Sequence, residues 1–316
     1  MRVFCLLLLI AQGGFAQVAV KRSAHLMGGK FEITLAAADS SKANAHIDEV
    51  IAEISRIEHL ISDWKPESQV SRVNQNAGIA PVKVDREVFE LTQRALKLSQ
   101  ITGGAFDISF AAMEKVWKFD GSMTKVPSAQ EIRKSVQNVG YQNIVLDSIN
   151  QTIFLRKSGM KIGFGALGEG YAVDRCRVLM QGKGIRDGLI NATGDMTAWG
   201  NRPKSRRGWP IGIADPFRPG RVIKKIWLKE SVATSGSYEK FAEIDGVRYS
   251  HIINPKTGYP ATGLISVTVT GPSAEVANGL STSIMVLGAT EAKNLLSNFP
   301  GYQALLVTDK GKTIRL

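Results

Sequence analysis

The chain has 316 residues, with 40 Lys and Arg against 28 Asp and Glu, for a formal net charge of +12. That length supports a real core, in one large domain or two small ones. The chain carries no recognisable nucleic-acid motif, so its basic charge points elsewhere: to an anionic ligand, an acidic protein partner, a membrane surface or a solvated basic face.

The sequence opens MRVFCLLLLIAQGGFAQ, one basic residue, an apolar run, and then small residues ending at Ala16. This predicts a secretory signal peptide over 1–16, cleaved after Ala16, and one functional domain over 17–316. The run is too short for a good transmembrane span; an uncleaved N-terminal anchor is the alternative. Cys5 lies inside the run, so cleavage leaves Cys176 alone and allows no intramolecular disulfide. The expectation is an exported chain stabilised by its core.

FEITL (31–35) alternates and predicts a first strand. Over 44–64, Ile47, Val50, Ile51, Ile54, Ile57 and Ile61 form one stripe, which predicts an amphipathic helix stopped by Pro66. SQVSRVNQNAG reads as a polar loop. A second helix is predicted over 86–101, closed by Gly103 and Gly104. IVLD and TIFLRK read as a hairpin, and a helix follows KIGFGALGEG over about 171–180. The runs GLINA, PIGIA, RVIKKIWL, VRYSHII and LISVTVTG are strand-like. Two helices are predicted over 273–287 and about 290–298, before a closing hairpin, ALLVTD and TIRL. Strands joined by short turns and mixed with helices predict an α+β domain with mostly antiparallel sheets.

Three glycine-rich stretches invite chemistry: TGGAFD (102–107), GFGALGEGYAVD (163–174) and NATGDMTAWG (191–200). The second contains GxGxxG and opens into a helix, where backbone N–H groups can meet a phosphate. The parallel βαβ unit of a dinucleotide fold is not evident around it, and glycines for tight turns explain it equally well. His251 stands at a strand end before a Pro-containing turn, placed for general-base work or for a structural role. With four histidines and neither HxH nor HExxH, a histidine zinc site is not expected. Asn278 and Thr282 are four apart on one helical face and offer oxygen ligands suited to Mg²⁺, or else bond neighbouring backbone.

Taken in order, Met27-Gly28, ISDWKPESQVSRVN, TGGAFD, GEGYAVD, NATGD, ATSG, HIINPKTG and ANGLSTS resemble the motifs of the ApbE family of FAD:protein FMN transferases, through nearly the whole mature chain. The resemblance implies an exported, FAD-binding, Mg²⁺-dependent enzyme with an α+β fold of two related halves. Such enzymes move FMN to a threonine hydroxyl of a target flavoprotein, often a membrane redox subunit, and release AMP. Some members hydrolyse FAD to FMN and AMP instead. By the same resemblance, Met27, Trp64, Ala105, Phe106, Asp107, Gly163, Glu169 and Ile252 line the FAD site. Ala166, through its carbonyl, Asn278 and Thr282 hold the metal, and His251 serves transfer. The implied location is the periplasm or the periplasmic face of the inner membrane.

Four family acids are neutral here, at Asn278, Asn254, Gly163 and Ser237. Asn278 keeps an oxygen ligand but loses a charge, which should lower Mg²⁺ affinity. An FAD-binding or scavenging protein with weak or no transfer is therefore the alternative. Asp195 and Glu275 are the acidic candidates to replace the lost charge.

Overall fold

The computed structural model describes residues 17–238 and 240–316, so the leader expected over 1–16 lies outside the described residues. The chain begins with an antiparallel hairpin, β1 (Val18–Leu26) and β2 (Gly29–Ala37). β2 carries FEITL, and its alternation buries Phe31, Ile33 and Leu35 completely. Helix α1 (Ser40–Ile61) starts where Asp39 accepts the Lys42 N–H at 2.8 Å and buries the expected stripe, with Ile51 half-buried at its edge. It ends at Ser62, short of Pro66, so the proline is not its stop and Trp64 lies beyond it in a loop. SQVSRVNQNAG, expected as a loop, holds α2 (Gln69–Gln75). Ser68 caps it through the Ser71 N–H, and Val70 and Val73 give it a buried face too short for a periodic signal.

β3 (Val82–Lys83) precedes α3 (Arg86–Ile101), which closes on Gly103 and Gly104 as expected, with φ of 57° and 85°. α4 (Ala129–Ser135) opens with a capping box of Ser128 and Glu131. β4 (Ile144–Asp147) and β5 (Thr152–Leu155) form the expected hairpin, which β3 joins. α5 (Gly168–Gly182) leads into β6 (Asp187–Ala192) and β7 (Asp195–Trp199), so NATGD is the turn of a hairpin. β8 (Trp209–Ala214) and β9 (Val222–Leu228) pair with each other as a separate ribbon. Then come β10 (Ser231–Gly236), a second ribbon of β11 (Phe241–Ile244) and β12 (Val247–Ser250), and β13 (Leu264–Gly271). α6 (Ala274–Leu287), α7 (Ala289–Leu296) and the hairpin β14 (Gln303–Thr308) with β15 (Thr313–Arg315) complete the chain.

The main sheet runs β1-β2-β6-β7-β10-β13-β14-β15, antiparallel throughout. α1 packs on β1 and β2, α5 on β6 and β7, and α6 on β10 and β13. The architecture is the expected α+β. Among the described residues no helix is long and apolar enough to cross a membrane.

Two contacts fix the helices that will matter. Gly170 of α5 lets the backbone of α6 approach: a Cβ there would lie 2.6 Å from the Ala274 carbonyl oxygen. Asp174, one turn further along α5, accepts the Ser273 hydroxyl at 2.7 Å and the Glu275 N–H at 3.0 Å, so it anchors the α6 N-terminus.

Candidate active site

β7 and β10 pair over only two positions, Ser231↔Thr197 and Val232↔Met196. Beyond them the sheet splits, and a cavity of about 830 Å³ opens between α5, α6 and the loops around residues 63–64, 105–111 and 251–255. Of the residues expected at the site, Trp64, Ala105, Phe106, Asp107, Gly163, Ala166, Glu169, His251, Ile252, Asn278 and Thr282 line this cavity. Met27 lines an adjoining recess with Trp64, Gly165 and Glu169.

On the α6 wall, Asn278 and Thr282 sit one turn apart as their spacing demands. Asn278 is buried, and its amide Nδ2 donates to the Asp195 carboxylate on β7. Thr282 Oγ1 lies 3.2 Å from Ser235 Oγ, which in turn lies 2.8 Å from Ser281 Oγ. Asp195 thus stands where the missing acid would be needed. Glu275 does not: it faces Arg94, whose guanidinium grips both of its oxygens at 2.7 and 3.0 Å. Burial and the nearby Glu169 carboxylate push the Asp195 carboxyl far above the usual range, against the pull of the Asn278 amide.

Glu169 lies in the first turn of α5, where the helix dipole favours an anion. Its carboxylate accepts the Thr193 hydroxyl. Thr193 and Met27 both adopt left-handed backbone, at φ of 48° and 51°, a conformation uncommon outside glycine. Gly29 leaves room for Thr193: a Cβ there would come 2.5 Å from Thr193 Cγ2. Burial raises the Glu169 pKa, while the Thr193 hydrogen bond and the Lys240 charge oppose it.

The His251 ring faces the edge of Phe119 at 6.3 Å, and its Nδ1 lies 2.9 Å from the Lys240 carbonyl oxygen. A carbonyl only accepts, so in this contact Nδ1 carries the proton. Asp107 also lines the cavity, but its oxygens are engaged by the Ser109 N–H and hydroxyl and by the Tyr141 N–H. It holds the 105–111 loop in shape.

Two of the other neutral positions have local answers. Asn254 Oδ1 accepts the Lys256 N–H at 2.9 Å, a turn contact that Asn makes as well as Asp. At Gly163 a Cβ would lie 3.0 Å from Asp63 Oδ2, so the Asp63 carboxylate occupies the space a side chain there would take. Asp63, Thr193, Ser235 and Lys240 also line the cavity and were not singled out from sequence. Asp63 adjoins Trp64 in chain, and Thr193 and Ser235 lie inside NATGD and ATSG. The signal was present, but nothing in the spacing said which side chain faced inward.

The donor set suits a hard cation. Asn278, Thr282 and Asp195 present amide, hydroxyl and carboxylate oxygens, and Ala166 lies on the facing loop. Among the described residues neither Asp195 nor Glu169 belongs to an ion pair, although burial raises the pKa of both. That is the electrostatic demand a cation would meet. No group of three or more His, Cys, Asp or Glu gathers as a metal cluster among the described residues. A cation here would therefore take further ligands from water or substrate phosphates, as Mg²⁺ commonly does.

The family model described as "ApbE family" matches residues 27–306. An FAD:protein FMN transferase of Klebsiella pneumoniae is 32% identical over 289 residues, 90% of this chain and 88% of the relative. One from Treponema pallidum is 31% identical, over 85% of this chain and 78% of its own. The crystal structure of the ApbE protein of Thermotoga maritima superposes with a TM-score of 0.84 at 32% identity, covering 94% of this chain and 97% of that one. The chain belongs to the ApbE family.

Proposed function

We propose that the protein transfers FMN from FAD to a threonine hydroxyl of an acceptor flavoprotein, releasing AMP, and that it requires Mg²⁺. One observation carries this reading. A single cavity gathers an exposed indole, a helix N-terminus, a histidine whose Nδ1 is held by a backbone carbonyl, and an oxygen donor set around a buried carboxyl. The names of the relatives supply the substrate, FAD, and a protein acceptor.

Trp64, 60% exposed at the cavity wall, offers a flat face to the isoalloxazine ring. The loop over 163–167 and the α5 N-terminus receive the diphosphate, and Lys240 adds positive charge at the mouth. Asn278, Thr282 and the Ala166 carbonyl would hold Mg²⁺, with Asp195 supplying charge; when bound, the ion neutralises charge on the diphosphate. His251 Nε2 accepts the proton of the threonine hydroxyl. The threonine oxygen forms a bond to the FMN phosphorus, and the bond from that phosphorus to the bridging oxygen breaks. AMP leaves with the bridging oxygen, and the proton stays on His251. The fixed geometry of cavity and loop supplies the orientation such a displacement needs.

Asn278 in place of an acid favours the second reading, an FAD-binding protein with little transfer. The Asp195 contact argues against it, because the carboxylate is retained one side chain away. We place the protein outside the cytoplasm, in the periplasm or at the periplasmic face of the inner membrane, with a membrane redox subunit as acceptor. Release of AMP from FAD, followed chromatographically with and without an acceptor protein, tests the reading. AMP formation that depends on the acceptor supports it. No AMP under either condition, with FAD bound, would leave a binding protein, and AMP independent of acceptor would make it a hydrolase.

A further inference from the structure

The chain's charge is gathered on one arm. Residues 201–229 hold nine Lys and Arg against one acid, Asp215, which is +8 of the chain's +12. That acid is turned inward: its carboxylate accepts the Phe217 N–H at 3.0 Å and pairs with Arg218 at 2.7 Å, holding the tip of the β8–β9 ribbon. The arm therefore shows cations and no acid to solvent.

The outer face of the ribbon is unusual in a second way. Its cross-strand pairs are Pro210 with Trp227, Gly212 with Lys225 and Ala214 with Val222, all exposed. Each large side chain stands opposite a small one, so nothing on the neighbouring strand shelters it. Trp227 is 52% exposed and Phe217, at the tip, 49%. Phe217 leans towards the β14–β15 turn, where Lys310 and Lys312 are exposed: a Cβ on Gly311 would lie 3.8 Å from its ring. On the inner side, Arg207, Lys224, Lys229 and Arg315, with the single acid Glu230 and part of Trp227, border a groove of about 490 Å³ between the ribbon and the sheet.

We propose that this ribbon docks the protein on an anionic phospholipid surface. Aromatic rings interleaved with cations on an exposed face are what a bilayer interface rewards: the rings enter the headgroup level while Lys and Arg meet lipid phosphates. An acidic protein partner accounts for the charge alone, whereas a bilayer interface accounts for the charge and the exposed rings together. The arm is separate from the cavity at the β7–β10 split, so the inference stands whether or not FMN transfer does.

The test uses the full chain with phosphatidylcholine vesicles, with and without phosphatidylglycerol, in a flotation assay. We expect binding at least tenfold stronger to the anionic vesicles. It should be lost at about 1 M salt, where the screening length is about 3 Å, and weakened at least tenfold by K224E/K225E. Brominated lipid should quench tryptophan emission, and Trp227→Phe should remove that quenching; residues 1–16 contain no tryptophan to confuse the signal. FAD affinity unchanged in each variant shows that it is folded. Equal binding to both vesicles, or binding unaffected by K224E/K225E, would overturn the proposal. So would the absence of Trp227 quenching with full displacement by soluble polyglutamate, which would make the arm a site for acidic protein.

Discussion

The amide of Asn278 on α6 donates to the carboxylate of Asp195 on β7, at the point where β7 and β10 cease to pair. The contact fixes which way the Asn278 amide points: with Nδ2 turned to Asp195, Oδ1 is the atom left to serve as a ligand. It also keeps a carboxyl group beside a helix face that has lost its own.

Asn278→Asp replaces the donor with a second carboxylate. Without metal, Asp195 then loses the Asn278 donor and faces a second carboxyl, at a cost of about 1–3 kcal/mol. The variant should melt below the parent in EDTA and recover with Mg²⁺, by a larger increment than the parent. Melting curves with and without Mg²⁺ measure this; identical increments would remove residue 278 from any cation site. Asp195→Asn should abolish Mg²⁺ protection while FAD still quenches on binding.

Trp64→Ala should weaken FAD binding without touching the fold, because the side chain is exposed and outside the core. Aromatic stacking contributes about 0.5–1.5 kcal/mol beyond area burial, so the Kd should rise at least about twofold, and more with the lost contact area. Flavin fluorescence titration reads it. An unchanged Kd would place the ring elsewhere.

The glycines of the 163–167 loop and the start of α5 should divide sharply. Gly170→Ala drives a methyl into the α6 backbone and should cost about 1–3 kcal/mol, shifting Asn278 and Thr282 with the helix. Gly165→Ala enters open space and should leave stability unchanged. Chemical denaturation of both variants checks the contrast.

Arg56 joins two acids across helices: it bonds Glu53 at 2.8 Å and Glu87 at 2.7 Å, and Glu87 also accepts the Tyr171 hydroxyl at 2.5 Å. The Arg56 hydrogen bond lowers the Glu53 pKa. For Glu87 burial pushes the pKa up, but the Arg56 and Tyr171 hydrogen bonds outweigh it and the net shift is down. A folded pKa below the unfolded value gives stability that is present above the unfolded pKa, about 4.3, and lost as pH falls through the lowered one. Arg56→Met should therefore flatten the loss of stability between about pH 5 and pH 3. An unaltered acid slope would show that the cluster is uncoupled from folding.

Long periodic stretches were readable in the sequence because burial repeats along them. The isoleucine stripe of α1 and the bounds of α3 are examples. α2 was not, since seven residues hold too few turns to show a period. Pro66 misled because α1 had already ended at Ser62, whose backbone turns extended at φ −65° and ψ 125°. Site membership was legible through ordered motifs, but the choice between Asp195 and Glu275 was not. Those acids are told apart by tertiary neighbours, Asn278 for one and Arg94 for the other, and Arg94 is 181 residues from Glu275 in the chain.

The most direct test of the account is the intact mass of an acceptor protein after incubation with FAD, Mg²⁺ and this enzyme. FMN transfer predicts a gain of one FMN on a threonine, with an equal amount of AMP, and no gain with His251→Asn although FAD still binds. An acceptor of unchanged mass in the presence of bound FAD, or an adduct formed equally well by His251→Asn, would contradict it.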